Sequence, residues 1–463
     1  MNRFLVFQAC RRLQGGAFGS VRTVSGGVFR GALPRSNLPV GIVKSTVGGR
    51  VFQTNVGILR GTAYANSLRH ARSTIRPKSS AGTAMAAAGG AVPSVSRAIP
   101  QDKLLASWIL ATGGMVFGMV TLGGATRLTR SGLSMVDWKP QGRPLPSTTE
   151  EWEFEFEKYK AFPEYQKLNQ NMTLGEFKRI YFMEWAHRMW GRAIGLVFAV
   201  PLLGFAAAKR IPKQLYGRLA LLFAMGGGQG LVGWWMVKSG LTHEHLPGIS
   251  RSEHDTPRVS PYRLTAHLSM AFATYGVLMW TGMNLLTGPP RVKSGAFNLS
   301  VANSALKALR SRSKGGAALL GLTVLSGAFV AGNDAGHAYN DFPYMAGEII
   351  PEQIWMDHLG LRNLFENTAT VQFDHRVLAF TTLGTVGGLF LSARGNSLVW
   401  NSLNPDAKLA LTSLVGVTTA QVGLGITTLM MYVPVELGVA HQGGALTLWT
   451  VALWLVHTLR YVK

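Results

Sequence analysis

The 463-residue chain has a single cysteine, Cys10, close to its start. One cysteine excludes a disulfide framework and any metal site built on several thiolates. Acids are also scarce, with 22 Asp and Glu against 46 Lys and Arg, and the first 101 residues contain none. Charged residues make up only 15% of the chain, whereas 47% is hydrophobic and glycine occupies 55 positions. So little charge with so much glycine excludes an ordinary soluble enzyme and indicates an all-α polytopic membrane protein.

A net charge of +24 would suggest a nucleic-acid partner if it were spread over a soluble domain. Instead, residues 1–101 hold 14 Lys or Arg, among them Arg3, Arg11, Arg12, Arg22 and Arg30, and removing them leaves +10. An acid-free, Arg- and Ser-rich stretch such as "MNRFLVFQACRRLQGG" has the composition of a mitochondrial transit peptide. The alternative is a basic arm for acidic lipid or RNA. Residues 1–98 are assigned to a transit peptide and flexible leader, and no nucleic acid is expected as a partner.

Apolar runs long enough to cross a hydrocarbon core of about 30 Å occur eight times. They lie near 104–124, 184–207, 215–237, 264–286, 316–332, 375–393, 409–431 and 436–458, the fifth being short. Glycines interrupt several, which lets backbones or a flat ligand approach closely. The basic loops 208–214 and 287–315 face the matrix by the positive-inside rule, and the acid-rich loop 333–373 lies on the opposite side. Both termini then sit in the matrix of the mitochondrial inner membrane, and membrane lipid surrounds the spans.

The spans also repeat. "EWAHRMWGRAIGL" matches "QFDHRVLAFTTLG", "GQGLVGWWM" matches "AQVGLGITTLM", and "LTAHLSMAFATYGVLMW" matches "GVAHQGGALTLWTVALW". "GMVTLGGATRL" and "GAFVAGNDAGH" end the first and fifth spans. Four spans followed by four like them, in one orientation, imply two tandem four-helix bundles related by pseudo-twofold symmetry. The bundles are placed at 99–290 and 315–463, with a matrix linker at 291–314.

Of 11 histidines, four lie near the starts of even-numbered spans and so at one depth: His187, His267, His375 and His441. Two imidazoles facing each other on neighbouring helices suit axial ligation of an iron porphyrin. A bare zinc ion would need more ligands at one point, and a hydrogen-bonding role inside the bundle is the plain alternative. Arg188 and Arg376 follow two of the histidines and either snorkel to the interface or pair with porphyrin propionates. Arg127, after the first span, lies at the same rim. Aligning the His-Arg pairs sets Glu184 opposite Gln372, three residues before each histidine. Glu184 then shares a helix face with His187 and is the candidate catalytic carboxylate, with a capping or interfacial Glu as the alternative. In "THEHLPGISRSEHD", His243, His245 and His254 have a spacing that can bind a metal but is commonly incidental in a loop.

Together, "GGATRLTRSGLSMVDWKPQGRPLP", "MEWAHRMWGR", "LTAHLSMAF", "GNDAGHAYNDFPYM", "FDHRVLAF" and "AHQGGALTLW" resemble the mitochondrial haem A synthase family of the Cox15/CtaA type, which assembles cytochrome c oxidase. The likeness covers about 104–458 and implies eight helices in two bundles. It also implies oxidation of a ring methyl of haem O to the formyl group of haem A. On this resemblance His187 and His267 hold the substrate haem, His375 and His441 ligate the iron of a haem b cofactor, and Glu184 is catalytic. A ferredoxin and its reductase are the implied electron donors, haem O synthase is a possible partner, and a homo-oligomer is expected. The alternative is a quinol-oxidising, cytochrome b-type electron-transfer protein with two resident bis-His haems.

Overall fold

The computed structural model describes residues 100–241, 257–288, 299–460 and 462. The leader and the His243, His245 and His254 cluster lie outside the described residues. Local signals set the helix starts. Asp102 accepts from the Leu104 and Leu105 amides to cap α1, Lys103–Leu128. Thr148 with Glu151, and Thr173 with Glu176, form capping boxes that open α2, Thr149–Lys160, and a later helix, Leu174–Ala207. Between these two lies the short α3, Pro163–Leu168, and Leu174–Ala207 is α4.

Next come α5, Tyr216–Leu241, α6, Pro261–Leu286, and α7, Leu299–Gly332. They are followed by the short α8, Asn363–Glu366, α9, Thr368–Gly395, and α10, Ser397–Ser402. The chain ends with α11, Pro405–Met430, and α12, Val435–Thr458. Among the described residues there is no strand, only an isolated bridge between Met345 and Glu348.

Seven helices are long and apolar enough to cross a membrane, α1, α4, α5, α7, α9, α11 and α12. The eighth expected span, α6, is also 26 residues long but is less apolar. Its position explains this, because α6 packs against α1, α5, α7 and α12 and meets little lipid. Polar groups there find protein partners: Thr281 is fully buried, and the Tyr275 and Thr450 hydroxyls are 2.7 Å apart.

Three spans start well before their expected bounds, α9 at Thr368 rather than near 375. At 34 residues, α4 starts at Leu174 rather than near 184, because the Thr173 box nucleates it earlier. Glu184 is consequently about three turns inside the helix and is no cap. The short fifth span is the last part of the 34-residue α7, whose first half runs through the Lys- and Arg-bearing segment.

Helix packing closes two rings. In the first, α1 packs on α4, α4 on α5, α5 on α6, and α6 on α1. In the second, α7 packs on α9, α9 on α11, α11 on α12, and α12 on α7. The rings touch through α1 and α6 against α12, and through α6 against α7. Lipid-side faces are apolar, with Leu196, Val200 and Leu203 exposed on α4 and Leu221, Phe223 and Leu231 on α5.

Where α6 begins and α7 ends, a Cβ on Gly332 would lie 2.8 Å from the Pro261 Cα, a backbone atom that cannot rotate away. Gly332→Ala should therefore destabilise the purified protein by about 1–3 kcal/mol and lower its Tm. Gly384→Ala, at an open position on α9, should leave the Tm unchanged or raise it slightly.

Candidate functional site

Each of the four membrane histidines rests against a glycine on the neighbouring helix. A Cβ on Gly123 of α1 would stand 3.1 Å from His187 Nε2. On Gly233 of α5 it would meet His267 Cε1 at 2.9 Å, on Gly327 of α7 His375 Cε1 at 3.0 Å, and on Gly425 of α11 His441 Cε1 at 2.8 Å. A side chain at any of these positions would displace the imidazole. His187 on α4 and His267 on α6 belong to the first ring, and His375 on α9 and His441 on α12 to the second. All four are only half-buried by the surrounding protein. Among the described residues no three His, Cys, Asp or Glu side chains converge as a metal ion would require.

Further polar groups frame the histidines. Gln229 donates to the His267 carbonyl at 3.0 Å, and Gln421 to the His441 carbonyl at 2.8 Å, each four residues before the glycine that meets the same ring. Ser326, next to Gly327, stands 2.8 Å from His375 Nδ1. The sequence reading passed over these three. The two glutamines were visible as equivalent positions in "GQGLVG" and "AQVGLG".

Glu184 is only 2% exposed and its bonds run to the loop after α1. Its Oε2 accepts from Ser134 Oγ and the Met135 amide, both at 2.7 Å, and its Oε1 from Arg188 Nη2 at 2.6 Å. Gln372 has the mirrored polarity. Its amide donates to the Ala335 and Ala338 carbonyls at 2.7 and 2.6 Å, and its oxygen accepts from Arg376 at 2.9 Å. A carboxylate suits a loop presenting donors, and an amide suits one presenting carbonyls.

The three arginines are tied to loops. Arg188 donates to the Asp137 and Met135 carbonyls, and Arg376 to those of Tyr339, Asp341, Pro343 and Tyr344. Trp185 and Arg192 bind the Arg143, Pro140 and Lys139 carbonyls. The motif "EWAHRMWGR" thus clamps the loop that roofs the first ring, while His187 turns to Gly123. Arg127 joins the two rims, pairing with Asp334 at 2.7 Å and donating to the Ala331 carbonyl.

Most of the chain is similar to known proteins. Residues 106–453 match COX15-CtaA, described as a cytochrome oxidase assembly protein. The chain belongs to the COX15-CtaA family. It is 50% identical over 359 residues to heme A synthase COX15 of Arabidopsis thaliana, spanning 78% of this chain and 75% of that protein. It is 44% identical to heme A synthase COX15 of Homo sapiens over 78% of this chain and 84% of the relative. For heme A synthase COX15 of Saccharomyces cerevisiae the identity is 42%, over 78% and 76% of the two chains.

In this COX15-CtaA chain the roof of the first ring contains a second buried carboxylate, unforeseen from the sequence. Glu164, on α3, is 5% exposed and accepts from the Tyr159 hydroxyl at 3.1 Å, while Asn169 donates to that hydroxyl at 2.7 Å. Burial pushes its carboxyl up to about 7, the Tyr159 hydrogen bond opposing and the charge of Glu184 adding, with Arg130 and Arg127 pulling down. Nearby Glu155 is buried but paired, with Arg143 at 2.9 Å and Lys158 at 3.1 Å.

A carboxyl raised from 4.5 to about 7 keeps its proton in the folded roof where the unfolded chain has released it. That stability is fully present below pH 4.5 and is lost as pH rises through 7. Hydrogen exchange of the α2–α3 hairpin, corrected for intrinsic rates, should therefore show easier opening as pH rises across this window. Glu164→Gln should flatten the dependence.

Proposed function

We propose that this chain is a haem A synthase of the mitochondrial inner membrane, oxidising a ring methyl of haem O to the formyl group of haem A for cytochrome c oxidase. The observation that carries this reading is the two histidine pairs, each imidazole against a helix glycine. The glycines make room for the imidazoles between the helices, and the two histidines of each ring would hold an iron porphyrin through their ring nitrogens. The relatives, all named heme A synthase COX15, favour this activity over a quinol-oxidising cytochrome b.

In this reading α6 is the eighth span, and the two helix rings are four-helix bundles related by a pseudo-twofold axis along the membrane normal. Both termini lie in the matrix, residues 1–98 are the transit peptide and leader, and 291–314 join the halves. His187 and His267 hold haem O in the first half. His375 and His441 ligate haem b in the second, where that group supplies one-electron chemistry when bound. Ferredoxin and its reductase deliver electrons, haem O synthase supplies the substrate, and the chain works as a homo-oligomer.

Glu184 is the acid–base residue. One turn from His187, it lies at the edge of the first haem site, and Ser134, Met135 and Arg188 fix both its oxygens. It would supply protons as dioxygen and the donor's electrons place two hydroxyls in turn on the methyl carbon, one water released each time, and the resulting gem-diol loses water to leave the formyl group. Arg188, Arg376 and Arg127 hold the roofs that keep water from each haem edge and leave remaining N–H donors for propionates.

Glu184→Gln keeps the shape of the side chain. It should retain haem b and lower haem A formation by roughly 100-fold or more, within the usual range for a lost acid–base group, as measured by extracting and typing the haem. Arg192→Ala loosens the same loop without touching Glu184 and should keep most conversion. Undiminished conversion in Glu184→Gln, or equal losses in both variants, would contradict the assignment.

A further inference from the structure

The two histidine pairs differ in what stands behind their rings. Ser326 Oγ stands 2.8 Å from the Thr323 carbonyl, which can only accept, and 2.8 Å from His375 Nδ1, whose role depends on its tautomer; with the hydroxyl proton on the carbonyl, Ser326 accepts from Nδ1. The Nδ1 of His375 then carries the hydrogen, and Nε2 is left with its lone pair. This is the tautomer an imidazole needs to ligate iron through Nε2, and such a bond both orients the ring and strengthens it as a donor. Ser326 directly precedes Gly327, so one turn of α7 supplies both the surface against which the ring lies and the hydroxyl that holds it.

The first half has no counterpart. Gly123 aligns with Gly327, and the residue before it is Leu122, which has no hydrogen-bonding group. The His187 ring turns its Nε2 edge toward Gly123, where the other three histidines turn Cε1 toward theirs. Its partner His267 has a buried Nδ1 without a hydrogen-bond partner, and the Gln229 Oε1 is likewise unpartnered. In the second half the corresponding Gln421 amide nitrogen, which can only donate, lies 3.1 Å from His441 Nδ1, so the bond that favours ligation through Nε2 is the one between His375 and Ser326 and not this contact.

We infer that Ser326 is a positioning residue that makes the second-half haem a resident, and that Leu122 at the matching place leaves the first half's histidines free to release theirs. The inference rests on the haem-ligating reading proposed above. It explains how one duplicated architecture keeps a cofactor in one half and exchanges a substrate for a product in the other. Loss of a hydrogen bond behind a metal-bound histidine typically weakens the metal's retention about 10–100-fold. A hydroxyl gained at position 122 should act in the opposite direction.

The test uses the full chain loaded with haem b, in a His187→Ala background so that only the second pair is complete. Transfer of haem to apomyoglobin and the haem midpoint potential are both measured. Ser326→Ala should speed haem release about 10–100-fold and raise the potential, because a weaker donor favours ferrous iron. Ser326→Thr keeps a hydroxyl and should restore both values. In the reciprocal arm, Leu122→Ser in a His375→Ala background should slow release from the first half. Unchanged release and potential in Ser326→Ala would overturn the inference, as would Leu122→Ser without effect. A parent chain that binds no haem would overturn the haem reading itself, and with it the inference.

Discussion

An imidazole can enter the space between two packed membrane helices only where the opposing helix has no side chain. Gly123, Gly233, Gly327 and Gly425 meet that condition for His187, His267, His375 and His441. The close packing of the helices within each ring follows from it. Small residues draw the helices together, and the imidazoles then occupy the one place where that approach would otherwise leave a gap. The helices bearing the glycines and those bearing the histidines alternate around each ring. The interior helix α6 lacks an apolar stretch as strong as those of the other seven long helices, and packs against α1, α5, α7 and α12.

On this shared frame the halves diverge by exchanging donors for acceptors. The loop over the first ring presents a hydroxyl and an amide N–H to Glu184, whereas the loop over the second presents two carbonyls to Gln372. Each arginine four residues later serves whichever oxygen is offered. The carboxylate is therefore required by its surroundings as well as suited to proton transfer. In the proposed function the same group roofs the substrate half and serves its chemistry. Glu164 and Tyr159 enrich that roof with protonatable groups.

Much of this was legible in the sequence. The histidines showed through because each recurs in a matched motif, and the Glu184–Gln372 difference because the motifs align. Helix starts were less so: the Thr173–Glu176 box lies in a polar stretch that hydropathy discounts, and it moved Glu184 from a helix mouth to its interior. Loop conformation has no periodic signature, so Arg188 and Arg376 could be placed at the rim but not tied to the carbonyls they bind. Glu164 was hidden in the acid-rich "EEWEFEFEKYKAFPEYQ", where most charges are solvated and burial depends on how Phe156, Tyr159, Phe177 and Tyr181 pack together. Ser326 looked like one more small residue beside a glycine, and only the ring above it reveals its use.

Pigment typing of the purified chain, expressed with and without haem O synthase, bears most directly on the division between a resident and an exchanging haem. One haem b per chain should be present under both conditions, with haem O and haem A appearing only when the synthase supplies substrate. Two haem b groups per chain under both conditions, with no haem O or haem A, would contradict it.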